Sequence, residues 1–329
     1  MIKKAKNRAK NGFLKAVNLP VLGLLYRKIY SFPINKKLKE FKLSDLIVTV
    51  EPSNVCNSAC VMCPYPKMTR PKKAMPMDLF KKIVDDCVSH GVYKFNLNFY
   101  NEPFLDPAIF ERIKYLESKG VRIQLFSNGS VLNGEIINKI IESGLNDIRF
   151  SVDGVKKETY EKIRKGLDFN KTVSNILKLI ERKKELGSPS PCVAVVFVRS
   201  KDNEGEQEEF KKFWHGRADK IIISFDDNRN DTADISLMKK PSAKAYPCLR
   251  LWRELVVMSD GRVALCCIDF DGSVVVGDFA KQTLEEIWDG EKFAEIRKKH
   301  MRFEAGEIPL CRKCFHPYRM NVTSWWRKN

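Results

Sequence analysis

The sequence predicts an α/β fold: a partial (β/α)6 TIM-like barrel followed by a small α+β module. Three observations predict it. From Leu46 to about Phe225, short β-branched or aromatic runs alternate with amphipathic stretches, the pattern of repeated βα units that build a parallel sheet. Residues 227–246, rich in Asp, Asn, Lys, Pro and Ser with few large apolar groups, break that pattern as a linker. A cysteine-bearing module then runs over residues 247–329.

Strands are expected at 46–50, 94–99, 122–126, 147–152, 192–198 and 220–225. Helices are expected between them, at 77–89, 107–118, 134–143, 157–165 with 170–186, and 205–215. Six βα units over residues 45–226 fall two short of a closed eight-stranded barrel. With 329 residues and 43% hydrophobic content, the chain can bury a sizeable core.

Charge and cysteine usage narrow the class. Residues 1–44 carry twelve Lys and Arg against one acid, Glu40, so this basic arm holds +11 of the formal +18. No groove-reading motif accompanies that charge, and no specific nucleic-acid partner is expected. Within the arm, Phe13, Leu14, Val17, Leu22, Leu25, Tyr26 and Ile29 recur at near-helical spacing. A helix packed on the barrel and an interfacial helix on an anionic membrane both fit that pattern. The stretch from Val17 to Tyr26 is broken by Asn18, Pro20 and Gly23, and no run reaches the ~18 apolar residues of a spanning helix. Ten cysteines in 329 residues are too few for a disulfide scaffold, and seven of them fall in three short clusters. Metal binding in a reducing compartment fits better, so the chain is read as cytoplasmic, with a peripheral hold on a membrane as an alternative.

Cys56-x3-Cys60-x2-Cys63 follows the first strand, where barrel enzymes build their active sites. Three thiolates this close converge on one metal centre, and three is one short of filling a four-iron cubane. The open iron can chelate a small molecule, as an open position does in any catalytic metal site. Part of a zinc site is the competing reading. At these residues the chain resembles the radical S-adenosylmethionine (SAM) superfamily, whose hallmark is this spacing on a (β/α)6 partial barrel. The resemblance implies that Cys56, Cys60 and Cys63 hold a 4Fe-4S cluster. Its open iron would bind SAM, and an electron from it would release a 5'-deoxyadenosyl radical.

Further segments extend the resemblance. Tyr100-Asn101-Glu102-Pro103 is similar to the family's Gly-Gly-Glu-Pro turn against the methionine amino group, with both glycines replaced. Ser127-Asn128-Gly129 and Ser151-Val152-Asp153-Gly154 end the third and fourth strands. They resemble pocket-lining segments, which implies cofactor contacts for Asn101, Glu102, Ser127, Asn128, Ser151 and Asp153. Each is also an ordinary strand-to-loop turn in composition.

Cys248, Cys266 and Cys311-x2-Cys314 supply four thiolates, a complete and closed set suited to structure or electron transfer. The spacing of Cys248, Gly261 and Cys266 is similar to the SPASM extension of radical SAM enzymes, which implies a second, auxiliary 4Fe-4S cluster. A zinc ribbon is the alternative. Gly261 reads as a hairpin turn between 255–258 and 262–265, and 283–287 opens a helix.

Cys267 adjoins Cys266 and is expected to point away from it, either as a packing residue or, as in epimerases of the resembled family, as a candidate hydrogen donor to a substrate radical. Cys267 as the ligand and Cys266 as the spare thiol is the inverse reading. Cys87 and Cys192 are expected to be small core residues. His90, His215, His300 and His316 show no metal spacing with one another, and Trp325-Trp326 caps a groove or packs.

The resemblance implies an enzyme that cleaves SAM and abstracts hydrogen from a substrate carbon, using flavodoxin or ferredoxin as electron donor. Epimerisation or dehydrogenation of a carbohydrate-like small molecule is the expected outcome. A peptide substrate is the alternative within the class, and a non-catalytic iron-sulfur or zinc interaction protein is the alternative outside it.

Overall fold

The computed structural model describes residue 38, residues 40–225, residues 247–312 and residue 314. The amphipathic segment at 13–32, the linker 227–246, His316 and Trp325-Trp326 lie outside the described residues.

Strands β1 (Ile47–Val50), β2 (Lys94–Asn96), β3 (Arg122–Ser127), β4 (Asp147–Ser151), β5 (Cys192–Arg199) and β6 (Lys220–Phe225) lie side by side in chain order, every pair parallel. The helices that connect them are α1 (Met77–Ser89), α2 (Ile109–Ser118), α3 (Gly134–Glu142), α4 (Lys157–Ile163) with α5 (Phe169–Glu185), and α6 (Gln207–Trp214). Along β3 and β4 the two-residue period separates two faces. Ile123, Leu125, Ile148 and Phe150 are fully buried in the main core, while Gln124, Phe126, Arg149 and Ser151 are half-buried on the opposite face. The helices meet that core with matching stripes: Phe80, Ile83, Val84 and Cys87 of α1 are all buried. Asn133 and Asp168 cap α3 and α5 by accepting from Ile136 N and Lys171 N.

The cysteine-bearing module does not form a layer of its own. β7 (Glu254–Val257) pairs in parallel with β1, from Ile47 against Glu254 to Val50 against Val257. β8 (Arg262–Ala264) and β9 (Val275–Asp278) then add antiparallel strands, giving one open sheet ordered β6-β5-β4-β3-β2-β1-β7-β8-β9. The hairpin turn centres on Gly261, whose φ of 89° is the left-handed conformation that favours glycine. Among the described residues four α-helices complete the module: α7 (Arg250–Arg253), α8 (Leu284–Trp288), α9 (Glu291–Met301) and α10 (Pro309–Arg312). Thr283 and Glu286 form a capping box at the start of α8. β9, α7, α9 and α10 have no counterpart in the sequence-based expectations.

A buried ion pair ties the module to the cysteine loop. Glu51, directly after β1, takes Arg70 in a two-pronged contact at 2.7 and 2.8 Å, with exposures of 0% and 7%. The same carboxylate accepts from Ser259 N, and Arg70 Nε donates to Phe270 O. Removing one partner of such a pair strands the other charge, so Arg70→Met is expected to lower stability by about 3–5 kcal/mol. Denaturant titration of the full chain checks this, and a loss below about 1 kcal/mol would contradict the role given to the pair.

Candidate active site and auxiliary cysteine cavity

The loop between β1 and α1 carries Cys56, Cys60 and Cys63. Ser58 Oγ lies 3.3 Å from both the Cys56 and the Cys60 sulfur, so those two thiols flank one hydroxyl. Cys63 N donates to Cys60 O across a tight turn. The loop's backbone is held from several directions. Cys56 N donates to Tyr65 OH at 2.8 Å, while Ala59 N and Val61 N donate to Lys165 O and Ile163 O beyond β4. Asn57 bonds Asn128 Nδ2 and Ser130 Oγ beyond β3, each at 2.9 Å. Burial pushes the Cys56 thiol up, with hydrogen bonds to Ser58 acting the other way.

Glu102 is the buried hub of this arrangement. Its backbone N donates to Val55 O, next to Cys56. Its carboxylate accepts from Ser127 Oγ at 2.8 Å, Asn128 N at 2.7 Å and Phe104 N at 3.3 Å. Burial raises its pKa to about 7 against the pull of those three donors. Three of the candidate cofactor residues, Glu102, Ser127 and Asn128, thus converge on one another. Asp153 stands apart: Oδ1 accepts from Val198 N and Oδ2 from Arg164 Nε, so both oxygens are engaged within the protein. Arg164 Nη1 in turn lies 3.5 Å from the Cys60 sulfur. Ser151 ends β4 half-buried on the inner face.

Asn101 Oδ1 accepts from Phe99 N, but its Nδ2 is buried with no hydrogen-bond partner, as is Asn98 Oδ1. A buried amide donor and a buried amide acceptor left unsatisfied after β2 suit a polar ligand lying against this turn. In place of the expected glycines, Tyr100 is buried and its hydroxyl donates to Cys267 O at 2.9 Å.

That bond leads to the second site. A cavity is lined by Cys248, Cys266, Cys267, Cys311 and Cys314, with His300 beside them. Among the described residues no group of three or more His, Cys, Asp or Glu is arranged for a single metal ion. Burial pushes the Cys248 and Cys266 thiols up. The adjacent cysteines part company: Cys266 packs against the main core, whereas Cys267 packs against a separate cluster of Val256, Met258 and Ala264. Arg250 Nη1 donates to the Cys267 sulfur at 2.8 Å and to Glu254 at 2.6 Å.

Sequence reasoning missed Arg164 and set His300 aside with the other histidines. A single Arg at the end of an amphipathic helix looks like any solvated cation, and a His eleven residues before Cys311 matches no ligand spacing.

Residues 50–213 match the model of the radical SAM superfamily, and residues 248–315 match that of an iron-sulfur cluster-binding domain, SPASM. The chain belongs to the radical SAM superfamily. Its radical SAM domain implies a 4Fe-4S cluster and SAM, and its SPASM domain implies auxiliary iron-sulfur binding. This radical SAM chain is 25% identical over 169 residues to a tungsten-containing aldehyde ferredoxin oxidoreductase cofactor-modifying protein of Pyrococcus furiosus, covering 50% of this chain and 46% of that one. It is 28% identical over 178 residues to an AdoMet-dependent heme synthase of Methanosarcina barkeri, covering 46% and 51%. The chain therefore spans about half the length of these curated relatives. Among solved structures, Streptococcus suis SuiB bound to precursor peptide SuiA aligns with a TM-score of 0.66 at 13% identity, covering 82% of this chain and 70% of that one. BtrN in complex with AdoMet and 2-DOIA aligns with a TM-score of 0.57 at 18% identity, covering 82% and 92%. At these identities the two structures speak for the fold. Among the described residues no helix is long and apolar enough to cross a membrane.

The raised Glu102 pKa has a signed consequence. Between 4.5 and about 7 the folded protein retains a proton that the unfolded chain has released, so Glu102 contributes a fall in stability as pH rises through that window. The slope of unfolding free energy against pH there is expected to flatten in Glu102→Gln. An unchanged slope would mean that the carboxylate is already ionised in the folded state.

Proposed function

We propose that this chain abstracts hydrogen from a carbon of a small, polar, carbohydrate-like substrate, leading to epimerisation or dehydrogenation. The observation that carries the substrate class is the inner face of the sheet. There Thr49, Asn96 and Gln124 form a hydrogen-bonded row across β1, β2 and β3. Beside that row Arg149 stacks on Phe126 at 5.3 Å and makes no hydrogen bond to any described residue. Amides and an available guanidinium suit a ligand rich in hydroxyl or anionic oxygens.

In this reading Cys56, Cys60 and Cys63 hold the catalytic cluster, and Asn101, with its free Nδ2, and Ser151 face SAM. Glu102, Ser127 and Asn128 support the loop around SAM, and Asp153 acts through Arg164. Bound there, cluster and SAM supply the 5'-deoxyadenosyl radical that takes the substrate hydrogen. Cys248, Cys266, Cys311 and Cys314 hold the auxiliary cluster. In an epimerisation Cys267 would return a hydrogen atom to the substrate radical, and the thiyl radical left on its sulfur would be restored to the thiol by one proton and one electron from the flavodoxin or ferredoxin donor. In a dehydrogenation the substrate's second electron would pass to the auxiliary centre and its proton to solvent. A flavodoxin or ferredoxin would supply the starting electron. A peptide substrate remains the second reading, motivated by the Streptococcus suis SuiB structure, which is bound to a precursor peptide.

Anaerobic reconstitution is expected to give about eight irons per chain, from two cubanes. Changing Cys56, Cys60 and Cys63 together to Ala should leave about four and abolish reductive SAM cleavage. Stoichiometric zinc, or SAM cleavage surviving in the triple variant, would sink the assignment. Cys267→Ala separates the two outcomes. For an epimerase it should still form 5'-deoxyadenosine but no inverted product, and the wild type in heavy water should place one deuterium at the inverted carbon. For a dehydrogenase it should still oxidise substrate without solvent deuterium. Loss of the auxiliary cluster in Cys267→Ala would exchange the roles of Cys266 and Cys267.

A further inference from the structure

Among the described residues one imidazole, that of His300, lines the cysteine cavity, and its tautomer follows from its contacts. His300, on α9, is 1% exposed. Its Nδ1 accepts from Cys248 N at 3.2 Å, and its Nε2 lies 3.4 Å from the Cys311 sulfur. A backbone N–H can only donate, so Nδ1 must be the ring's acceptor, and a neutral imidazole then carries its single proton on Nε2. A proton on Nδ1 instead would set two N–H groups against each other and leave both unsatisfied in a buried site. The Nε2–H therefore faces sulfur. One ring thus touches two of the four thiolate-bearing residues of the cavity, Cys248 through its backbone and Cys311 through its side chain.

We propose that His300 is a positioning and tuning residue that donates its Nε2 proton to the Cys311 sulfur and thereby sets the reduction potential of the auxiliary cluster. The inference rests on Cys248, Cys266, Cys311 and Cys314 being the ligands of that cluster. A hydrogen bond to a ligating sulfur draws electron density from the iron and stabilises the more negative, reduced state, which raises the potential. The contact with Cys248 N holds the ring in place, so the donor cannot rotate away without losing a buried partner. An auxiliary centre poised higher in potential accepts an electron from a substrate radical more readily. His300 would therefore bias the chain toward net oxidation of its substrate.

The test is a potentiometric titration of the reconstituted protein, followed by the electron paramagnetic resonance of each cluster. His300→Phe keeps a flat, buried ring but removes the donor. It should shift the oxidised-to-reduced ratio of the auxiliary cluster about tenfold toward oxidised at a given potential, equal to about 59 mV for a one-electron couple. The potential of the SAM-binding cluster should not move. His300→Gln, whose amide can accept from Cys248 N and donate to Cys311, should recover most of the shift. An unchanged auxiliary potential in His300→Phe with both clusters in place would overturn the proposal. A second measurement needs no variant: wild-type protein grown with 15N-histidine should show a weak nitrogen coupling to the reduced auxiliary cluster. No coupling, or the strong coupling of an iron-bound nitrogen, would overturn the donor role. Four irons in the wild type would overturn the ligand reading itself, and the proposal with it.

Discussion

Strand β1 is shared by two structures that its neighbours would otherwise keep apart. On one edge it pairs with β2 and so belongs to the parallel core. On the other it pairs with β7 and so carries the whole cysteine-bearing module. The cysteine loop leaves its C-terminal end, and Cys266 follows β8, two strands away in the same sheet. Backbone hydrogen bonds of a sheet admit no gradual slippage, because a one-residue shift would turn Val48 and Val50 out of the core. The two cysteine sites therefore stand at a fixed separation. The Glu51–Arg70 pair, the Ser259 amide that joins it and the bond from Tyr100 to Cys267 lock the loops above the strands in the same relation.

The ends of β2, β3 and β4 show how little of a polar loop is left over for ligands. Buried polar groups need partners, and a strand end that stops inside a protein exposes several at once. Glu102, Ser127 and Asn128 satisfy one another and the loop backbone, while Asp153 satisfies Val198 N and Arg164. Residues expected to meet the cofactor are thus largely occupied in shaping its surroundings. After β2 two buried amide atoms are left unsatisfied: Nδ2 of Asn101, itself one of the residues expected to meet the cofactor, and Oδ1 of its neighbour Asn98. A family resemblance points to the right loops, and the hydrogen-bond inventory then separates groups that build the pocket from groups that face into it.

Six strands and the helices between them were legible in the sequence because each has its own periodicity. α1 runs over the same residues that its spacing predicts, since Phe80, Ile83, Val84 and Cys87 define one stripe. β2 is shorter than expected: the ladder ends at Asn96, although apolar character runs on through Leu97 and Phe99. The hairpin at Gly261 was legible from its turn residue, but its placement against β1 was not. Pairing between positions about two hundred residues apart leaves no local pattern. For the same reason Arg70, Arg164 and His300 could not be singled out. Each is one polar residue at a spacing that marks no motif, and only the folded geometry shows that it is buried beside a cysteine or a carboxylate. The cysteine clusters were legible because ligands close in sequence must also be close in space.

One continuous sheet sets both cysteine sites in a fixed relation. Pulsed dipolar electron paramagnetic resonance between the two reduced clusters tests it most directly. A single narrow inter-cluster distance that stays the same when SAM is added is the predicted result. A broad distribution, or a distance that changes on SAM addition, would show a module that moves independently of the barrel and would contradict the account.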